Sequence, residues 1–221
     1  MPATRSSYHH GDLRAALVAA GVDVVRERGP DALAVRELAR RVGVSHNAAY
    51  RHFANRDELV AAVAQVALVA MTRAGEERLD AIQDPDPRRR ARRRLHEVGR
   101  SYVDYALAEP GLFRVAFAAY PSQTSESAGP AALDDELAVA GPFLQLCSIL
   151  DELAESGFLA AEARPGAEFV CWAAVHGQAM LFLEGPLQGL TDAERRPLVE
   201  ALLRTVDRSY GATSGDVSAL D

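Results

Sequence analysis

The side chains with the clearest chemical use lie in one short stretch, residues 46–52, between apolar residues. A helix over this stretch would carry a polar surface made of His46, Asn47, Tyr50 and Arg51. An Asn amide can donate to and accept from the same adenine edge, so Asn47 is a candidate for reading a base. Imidazole, phenol and guanidinium groups beside it suit guanine or phosphate oxygens. The stretch therefore predicts a surface that contacts double-stranded DNA.

Each of these groups has a predicted contact and a simpler alternative. We expect His46 to donate to guanine or to a phosphate, and Tyr50 and His52 to touch phosphates. The alternative for each is an exposed polar group on a short helix, and for Tyr50 it is half-buried packing. Ser45 and the backbone N–H groups at the helix start can also hold a phosphate. With the basic residues that begin the two flanking helices, the predicted DNA-contacting set is Arg36, Ser45, His46, Asn47, Tyr50, Arg51, His52 and Arg56.

Two short helices meeting at a sharp turn must position these groups, and residues 35–53 meet each requirement. Gly43 supplies the residue that tolerates a positive φ at the turn. Ser45 stands where the second helix needs an N-cap, and Ala39 is small where the helices approach. The apolar seam between the helices would be formed by Leu38, Val42, Val44, Ala49 and Phe53. The joint match predicts a helix-turn-helix whose second helix enters the major groove.

Helical patterns extend through nearly the whole chain, and no segment alternates convincingly with a period of two. The long fourth helix begins with a capping-box-like pair, Asn55 and Glu58, and Pro142 predicts a kink or a helix start. The expected fold class is all-α, with an N-terminal three-helix DNA-binding domain and a larger C-terminal helical domain. Helices are predicted at about 13–28, 35–42, 46–52, 55–82, 88–108, 111–119, 133–156, 166–184 and 192–209.

Charge is distributed unevenly along a chain whose formal net charge is −7. Residues 1–60 contain nine Arg against seven Asp and Glu, together with four of the six His, whereas the remainder is strongly acidic. This asymmetry is compatible with DNA binding through one end only. The Arg-rich run at 88–94 resembles a second nucleic-acid patch, but a solvated helix start after a proline break is the favoured interpretation.

Other classes of protein find less support in the sequence. No stretch of eighteen residues is uniformly apolar, and the N-terminus lacks the apolar region of a signal peptide, so we expect a cytoplasmic protein with no membrane partner. No Gly-rich phosphate loop, metal-ligand spacing or nucleophile elbow is found, so no cofactor, metal or catalysis is expected. Glu97 and Asp104 can share a helix face, but paired carboxylates on a solvated helix are common. Cys147 and Cys171 are expected to be buried thiols.

Residues 11–71 resemble the DNA-binding domain of the TetR family of transcriptional regulators. In that family, the Tyr-x-His-Phe segment ends the recognition helix, and a basic residue at the position of Arg56 contacts phosphate, usually as Lys. Position 34 is usually Ser or Thr, which caps the first helix of the motif and touches the DNA backbone; Ala34 cannot do so through its side chain. The matching segments are the helix 13–28, Val35–Ala39, Val42–Ser45, Tyr50–Phe53 and Asn55–Leu59.

A second resemblance rests on two segments, one near the N-terminus and one in the C-terminal half of the chain. Tyr8–Arg14 and Trp172–Gly177 together are similar to one TetR subgroup, whose C-terminal domain carries a Trp…His-Gly signature. The polar composition of residues 1–10 predicts a flexible arm, and residues 212–221 are expected to be a disordered tail. The family resemblance implies a DNA-binding domain at 11–71, with its motif at about 34–53, and a regulatory and dimerisation domain at 72–211.

The family resemblance also implies partners. It predicts a one-component bacterial regulator, most often a repressor, that a small-molecule ligand of unknown identity releases from a palindromic operator. A homodimer would form through helices 166–184 and 192–209, for which an intrachain core is the alternative. His176 is either a ligand contact or a structural histidine, and the other pocket candidates are alternatively plain core. The candidates are Tyr102, Tyr105, Phe113, Phe117, Tyr120, Phe143, Cys147, Trp172, His176 and Met180. The competing function is a helical ligand-binding protein that has lost specific DNA binding.

Overall fold

The computed structural model describes residues 13–118 and 141–211, and within these ranges it contains helices and no strand. The all-α prediction is therefore confirmed. The predicted arm at 1–10, the predicted tail at 212–221 and Tyr120 lie outside the described residues. The helices are α1 (Leu13–Arg28), α2 (Val35–Val42), α3 (His46–Tyr50), α4 (Arg56–Asp80), α5 (Pro87–Ala108), α6 (Pro110–Ala118), α7 (Gly141–Glu155), α8 (Ala167–Leu183) and α9 (Asp192–Gly211), with 3-10 turns at Pro30–Ala32 and Ala161–Ala163.

Local capping signals predicted the start of α4 correctly. The N–H of Glu58 donates to Asn55 Oδ1 at 2.9 Å, and Glu58 Oε2 accepts from the N–H of Ala54 at 2.9 Å, so α4 starts at Arg56 as expected. The second helix of the motif is shorter than predicted. It ends at Tyr50, and the two residues predicted to complete it lie in a turn.

Packing groups the described residues into two units, and the division falls inside α4 between Ala67 and Leu68. The first unit contains α1 to α3, the first part of α4, and the segment that begins at Gly111 in α6. The second unit contains the rest of α4, α5, α7, α8 and α9. The division lies a few residues before the boundary expected from sequence, and α6, expected with the larger domain, packs with the first unit.

A close backbone approach explains where α6 packs. A Cβ atom at position 111 would overlap the carbonyl oxygen of Val25 on α1, so only glycine permits the contact. Leu112, Phe113 and Val115 are at most 1% exposed beside it. Because this contact joins residues far apart in sequence, no local signal indicates it.

Helix α5 lies at the centre of the second unit, where it contacts α7, α8 and α9. Leu95 of α5 and Ile149, Leu150 and Leu153 of α7 belong to one buried cluster. Helix α4 is long and apolar enough to cross a membrane by length and composition alone. Its apolar residues also build the protein interior, since Leu59, Val63 and Ala67 are fully buried.

The turn between α2 and α3 gives the first testable prediction. Gly43 has φ 76° and ψ 31°, and a Cβ there would meet nothing within 4 Å. The substitution Gly43→Ala therefore acts through backbone conformation alone, and we expect it to lower the free energy of unfolding by about 1 kcal/mol. Gly43→Asn should cost clearly less, because Asn tolerates the left-handed region. Chemical denaturation measures both; equal costs would contradict the conformational explanation.

Candidate nucleic-acid interface

Local hydrogen bonds set the angle between α2 and α3. Gly43 ends α2 in the left-handed conformation, and the N–H of Val44 donates to the carbonyl of Ala39 at 2.9 Å. Ser45 is the N-cap of α3, and its Oγ accepts from the N–H of Ala48 at 3.2 Å. The predicted positive φ of Gly43 and the predicted N-cap role of Ser45 are confirmed.

The apolar seam holds α3 against the rest of the first unit. Leu38 and Ala49 are fully buried, as is Ala39 at the close approach, and Phe53 is 1% exposed. The guanidinium of Arg14 lies over the Phe53 ring, 5.2 Å from its centroid. With the apolar residues directed inward, the polar residues of α3 are left on the surface.

The structure places the entire predicted DNA-contacting set on the surface of the first unit. Tyr50 is 40% exposed, which fits both the predicted phosphate contact and the half-buried alternative. His46 and Asn47 open α3, directly after its N-cap. Arg51 and His52 follow α3 in the turn. The residues classed as exposed are Arg36, Ser45, His46, Asn47, Tyr50, Arg51, His52 and Arg56.

Ion pairs neutralise one group of basic side chains in this unit. Arg41 is paired with Glu27, and Glu37 accepts from Arg40 at 2.9 Å and from Arg28 at 3.1 Å. The hydrogen bond from Arg41 lowers the pKa of Glu27, and that from Arg40 lowers the pKa of Glu37. Both carboxylates therefore stay ionised, and together they offset two of the three positive charges of Arg28, Arg40 and Arg41.

A second group of basic side chains carries no such partner. Across residues 13–118 and 141–211, neither Arg36 nor Arg51 makes an ion pair or side-chain hydrogen bond. Arg36 lies in the first turn of α2, and Arg51 follows α3. Arginines without a carboxylate partner therefore lie at the start of α2 and directly after α3.

Arg56 is bound differently from the phosphate contact that the resemblance implies. Its Nε donates to the carbonyl of Leu33 at 3.1 Å, and its Nη2 donates to the carbonyl of Pro30 at 3.0 Å. Ala34 is the N-cap of α2 and makes no side-chain capping bond, as its side chain requires. These contacts of Arg56 could not be predicted from sequence, because its partners are backbone atoms.

Three of the predicted pocket residues meet in the second unit as a hydrogen-bonded group, the Tyr102 cluster (Tyr102, Trp172 and His176). Trp172 Nε1 donates to Tyr102 Oη at 3.1 Å, and Tyr102 Oη lies 2.8 Å from His176 Nδ1. Tyr102 is buried, and the other two are half-buried. Burial lowers the pKa of His176, so its neutral form is favoured near pH 7.

The other pocket candidates are divided between the units. Phe143 of α7 packs against Trp172, with ring centroids 6.0 Å apart. Phe113 and Phe117 belong to α6 and form an edge-to-face pair in the first unit. The remaining described candidates are in the second unit: Tyr105 on α5, Cys147 on α7 and Met180 on α8.

Ion pairs account for the charged groups that suggested other chemistry. Arg78 donates to both Glu97 and Asp104, so these carboxylates share an arginine. Four of the six arginines at 88–94 are likewise paired with carboxylates, for example Arg92 with Asp207 at 2.6 Å. Cys147 and Cys171 are free cysteines, half-buried and buried respectively, and burial raises the pKa of both thiols.

Helix α8 presents an exposed apolar strip that sequence reasoning did not single out. Val170 is 61% exposed and Leu181 is 42% exposed, and Ala173 and Gly177 are exposed between them. These four residues, the α8 face, follow one another at steps of three and four. The signal in the sequence is a helix that is apolar on all sides, with small residues on one of them.

Two family models match the chain. One described as "Tetracyclin repressor-like, C-terminal domain" matches residues 95–206, and one described as "Bacterial regulatory proteins, tetR family" matches residues 17–63. HTH-type transcriptional repressor Rv3405c and HTH-type transcriptional regulator MT3513, both from Mycobacterium tuberculosis, are 42% identical over 52 residues. That segment is 24% of this chain and spans only 28% of the length of these relatives.

Solved structures match over most of the chain. A protein of unknown function from Rhodococcus sp. RHA1 has a TM-score of 0.72 and 28% identity, over 94% of this chain and 100% of that one. FadR from Bacillus subtilis, in complex with stearoyl-CoA, has a TM-score of 0.64 and 16% identity, over 90% of this chain and 100% of that one. The second likeness concerns the fold alone.

Proposed function

This chain belongs to the TetR family of DNA-binding transcriptional regulators, and we propose that it is a cytoplasmic repressor that binds a palindromic operator as a homodimer and leaves it when a small molecule binds. The observation that carries the DNA-binding part is the surface of α3. Its polar residues are exposed, and the unpaired Arg36 and Arg51 lie on either side of it in sequence.

The side chains divide into two proposed roles. Asn47 reads a base edge, because its amide matches the donor and acceptor pair of adenine in the major groove. Arg36 and Arg51 contact phosphates, because their charges are not already offset by carboxylates. Arg40, on the same helix as Arg36, is held by Glu37 and has no DNA role in this proposal.

We test these roles on a duplex that the wild-type protein selects from a random-sequence library. Asn47→Ala should weaken binding to that duplex by about 1–3 kcal/mol and relax discrimination at one base pair. Arg36→Ala should weaken binding to all sequences alike and reduce the salt slope by about one, whereas the matched control Arg40→Ala should leave the slope unchanged. Fluorescence anisotropy at three salt concentrations measures the affinity and the salt slope of each variant.

Two results would contradict this proposal. If Asn47→Ala and Arg36→Ala behaved identically, the division into base and phosphate contacts would be wrong. If the wild-type protein enriched no sequence and bound every duplex alike, the competing function would be favoured, namely a helical ligand-binding protein without specific DNA binding.

The α8 face supports a homodimer. Val170, Ala173, Gly177 and Leu181 are apolar yet exposed in the single chain, and the small residues at 173 and 177 would let a second helix approach closely. Leu198 on α9 is also 40% exposed, so both of the helices that the family resemblance implies for the dimer interface, α8 and α9, carry exposed apolar residues. A dimer also improves DNA recognition, because two half-sites add their contacts.

A charge on the α8 face should separate the subunits. Val170→Glu should raise the dimer dissociation constant at least tenfold, because the carboxylate would have to lose its water in the interface. Val69→Glu on α4 is the matched control, since Val69 is also exposed, at 46%, and lies outside that face. Sedimentation velocity measures both. A dimer that survives Val170→Glu unchanged, or dissociates equally with the control, would place the interface elsewhere.

The Tyr102 cluster supports a ligand site in the second unit. Its polar groups adjoin aromatic side chains, the combination that orients an apolar small molecule. B. subtilis FadR, similar in fold, is described in complex with stearoyl-CoA, so this fold accommodates a small molecule. Release from DNA requires the ligand to favour the non-binding conformation by roughly 5 kcal/mol to reverse the populations.

Trp172 is the only Trp of the chain, so intrinsic fluorescence reports on this cluster. A compound that releases the operator duplex should change Trp172 fluorescence over the same concentration range. Tyr102→Phe, which removes the hydroxyl shared by Trp172 and His176, should shift both curves together. Release without any change in Trp172 fluorescence would locate the ligand away from this cluster.

A further inference from the structure

The side chain of Arg56 joins the two ends of the helix-turn-helix. It begins α4, which follows the motif, and its two hydrogen bonds reach the carbonyls of Pro30 and Leu33, which precede the motif. Its Nη2 also lies 3.8 Å from Asp31 Oδ1. One guanidinium therefore closes a segment that contains all of α2 and α3.

We propose that Arg56 is a positioning residue, which fixes the orientation of α3 by clamping the turn before α2 to the start of α4. This inference rests on the proposed DNA-binding function and assigns Arg56 a role other than a phosphate contact. We call these two hydrogen bonds the Arg56 clamp.

The Arg56 clamp lies beside the start of α2, where the motif lacks a side-chain N-cap. Leu33 is 1% exposed and directly precedes Ala34, the N-cap whose side chain makes no capping bond. The start of α2 is therefore not fixed by its own cap, and the nearest side-chain bonds to this turn come from Arg56. Through α2 and the apolar seam, the placement of this turn determines the placement of α3.

The chemistry of the clamp requires arginine. A guanidinium is planar and presents five N–H donors in fixed directions, so its Nε and Nη2 can serve two carbonyls at once. A lysine ammonium keeps the charge but is a single point on a flexible stem. Arg56→Lys therefore separates the geometry of the clamp from its charge. Because Asn55 and Glu58 cap α4 independently, the substitution leaves the start of α4 intact.

The first experiment uses the full chain and the duplex that the wild-type protein selects. Arg56→Lys should lower affinity for that duplex at least tenfold, while affinity for random duplex and the salt slope stay unchanged. Binding is measured where circular dichroism shows the variant fully folded. Arg40→Lys, at an exposed arginine that Glu37 already holds and that has no DNA role in this proposal, is the matched control and should bind like wild type.

Two outcomes of this experiment overturn the proposal. If Arg56→Lys binds like wild type while Arg56→Gln weakens all duplexes and reduces the salt slope by about one, Arg56 is a phosphate contact. If Arg56→Lys lowers only the unfolding temperature and leaves both affinities unchanged, Arg56 is merely structural.

The second experiment needs no DNA. The N–H of Leu33 donates to the carbonyl of Pro30, one of the two carbonyls in the clamp. In the free protein, Arg56→Lys should speed hydrogen exchange at the Leu33 amide at least tenfold, and the control Arg40→Lys should not. Unchanged exchange would refute the clamp. Because this result is independent of binding, it also decides the proposal if the wild-type protein selects no duplex, in which case the DNA-binding function itself fails.

Discussion

The most demanding constraint on this protein is that its recognition helix is too short to be stable alone. Helix α3 has five residues, and an isolated helix of that length has far too few hydrogen bonds to offset the cost of nucleation. Packing against α2, with Leu38, Ala39 and Ala49 all fully buried, supplies what is missing. The orientation of every polar group on α3 therefore depends on packing, and a change in the seam or the turn would move all of them together.

Electrostatics explains how a chain with a net charge of −7 can approach DNA. What matters to a phosphate is the charge within about a Debye length, roughly 8 Å at physiological salt. In the first unit, Glu27 and Glu37 offset the arginines at the end of α2 but not Arg36 or Arg51. The acidic side chains thus localise the positive charge as well as reduce it.

The second unit separates two kinds of surface on the same helix, α8. Trp172 and His176 turn toward α5, where Tyr102 joins them by hydrogen bonds. Val170 and Leu181 are exposed on another side. One side of α8 therefore contributes residues to the Tyr102 cluster, and another side provides the proposed association surface.

Several features follow from the sequence alone because their causes are local. Gly43, the Ser45 cap and the Asn55–Glu58 pair act over at most four residues, so spacing is enough to predict them. The same reasoning identified the all-α class and the apolar seam. The exposure of the predicted DNA-contacting residues also followed, because a seam directed inward leaves the opposite residues on the surface.

Other features were decided only by tertiary structure. The packing of α6 with the first unit depends on Gly111 meeting the backbone of Val25, and the use of Arg56 depends on carbonyls more than twenty residues earlier. The exposed side of α8 was equally undetermined, because an all-round apolar helix has no pattern that tells its buried side from its free one. Backbone atoms are the same at every position, so a contact with them leaves no trace in the sequence, and only the fold determines which of them come together.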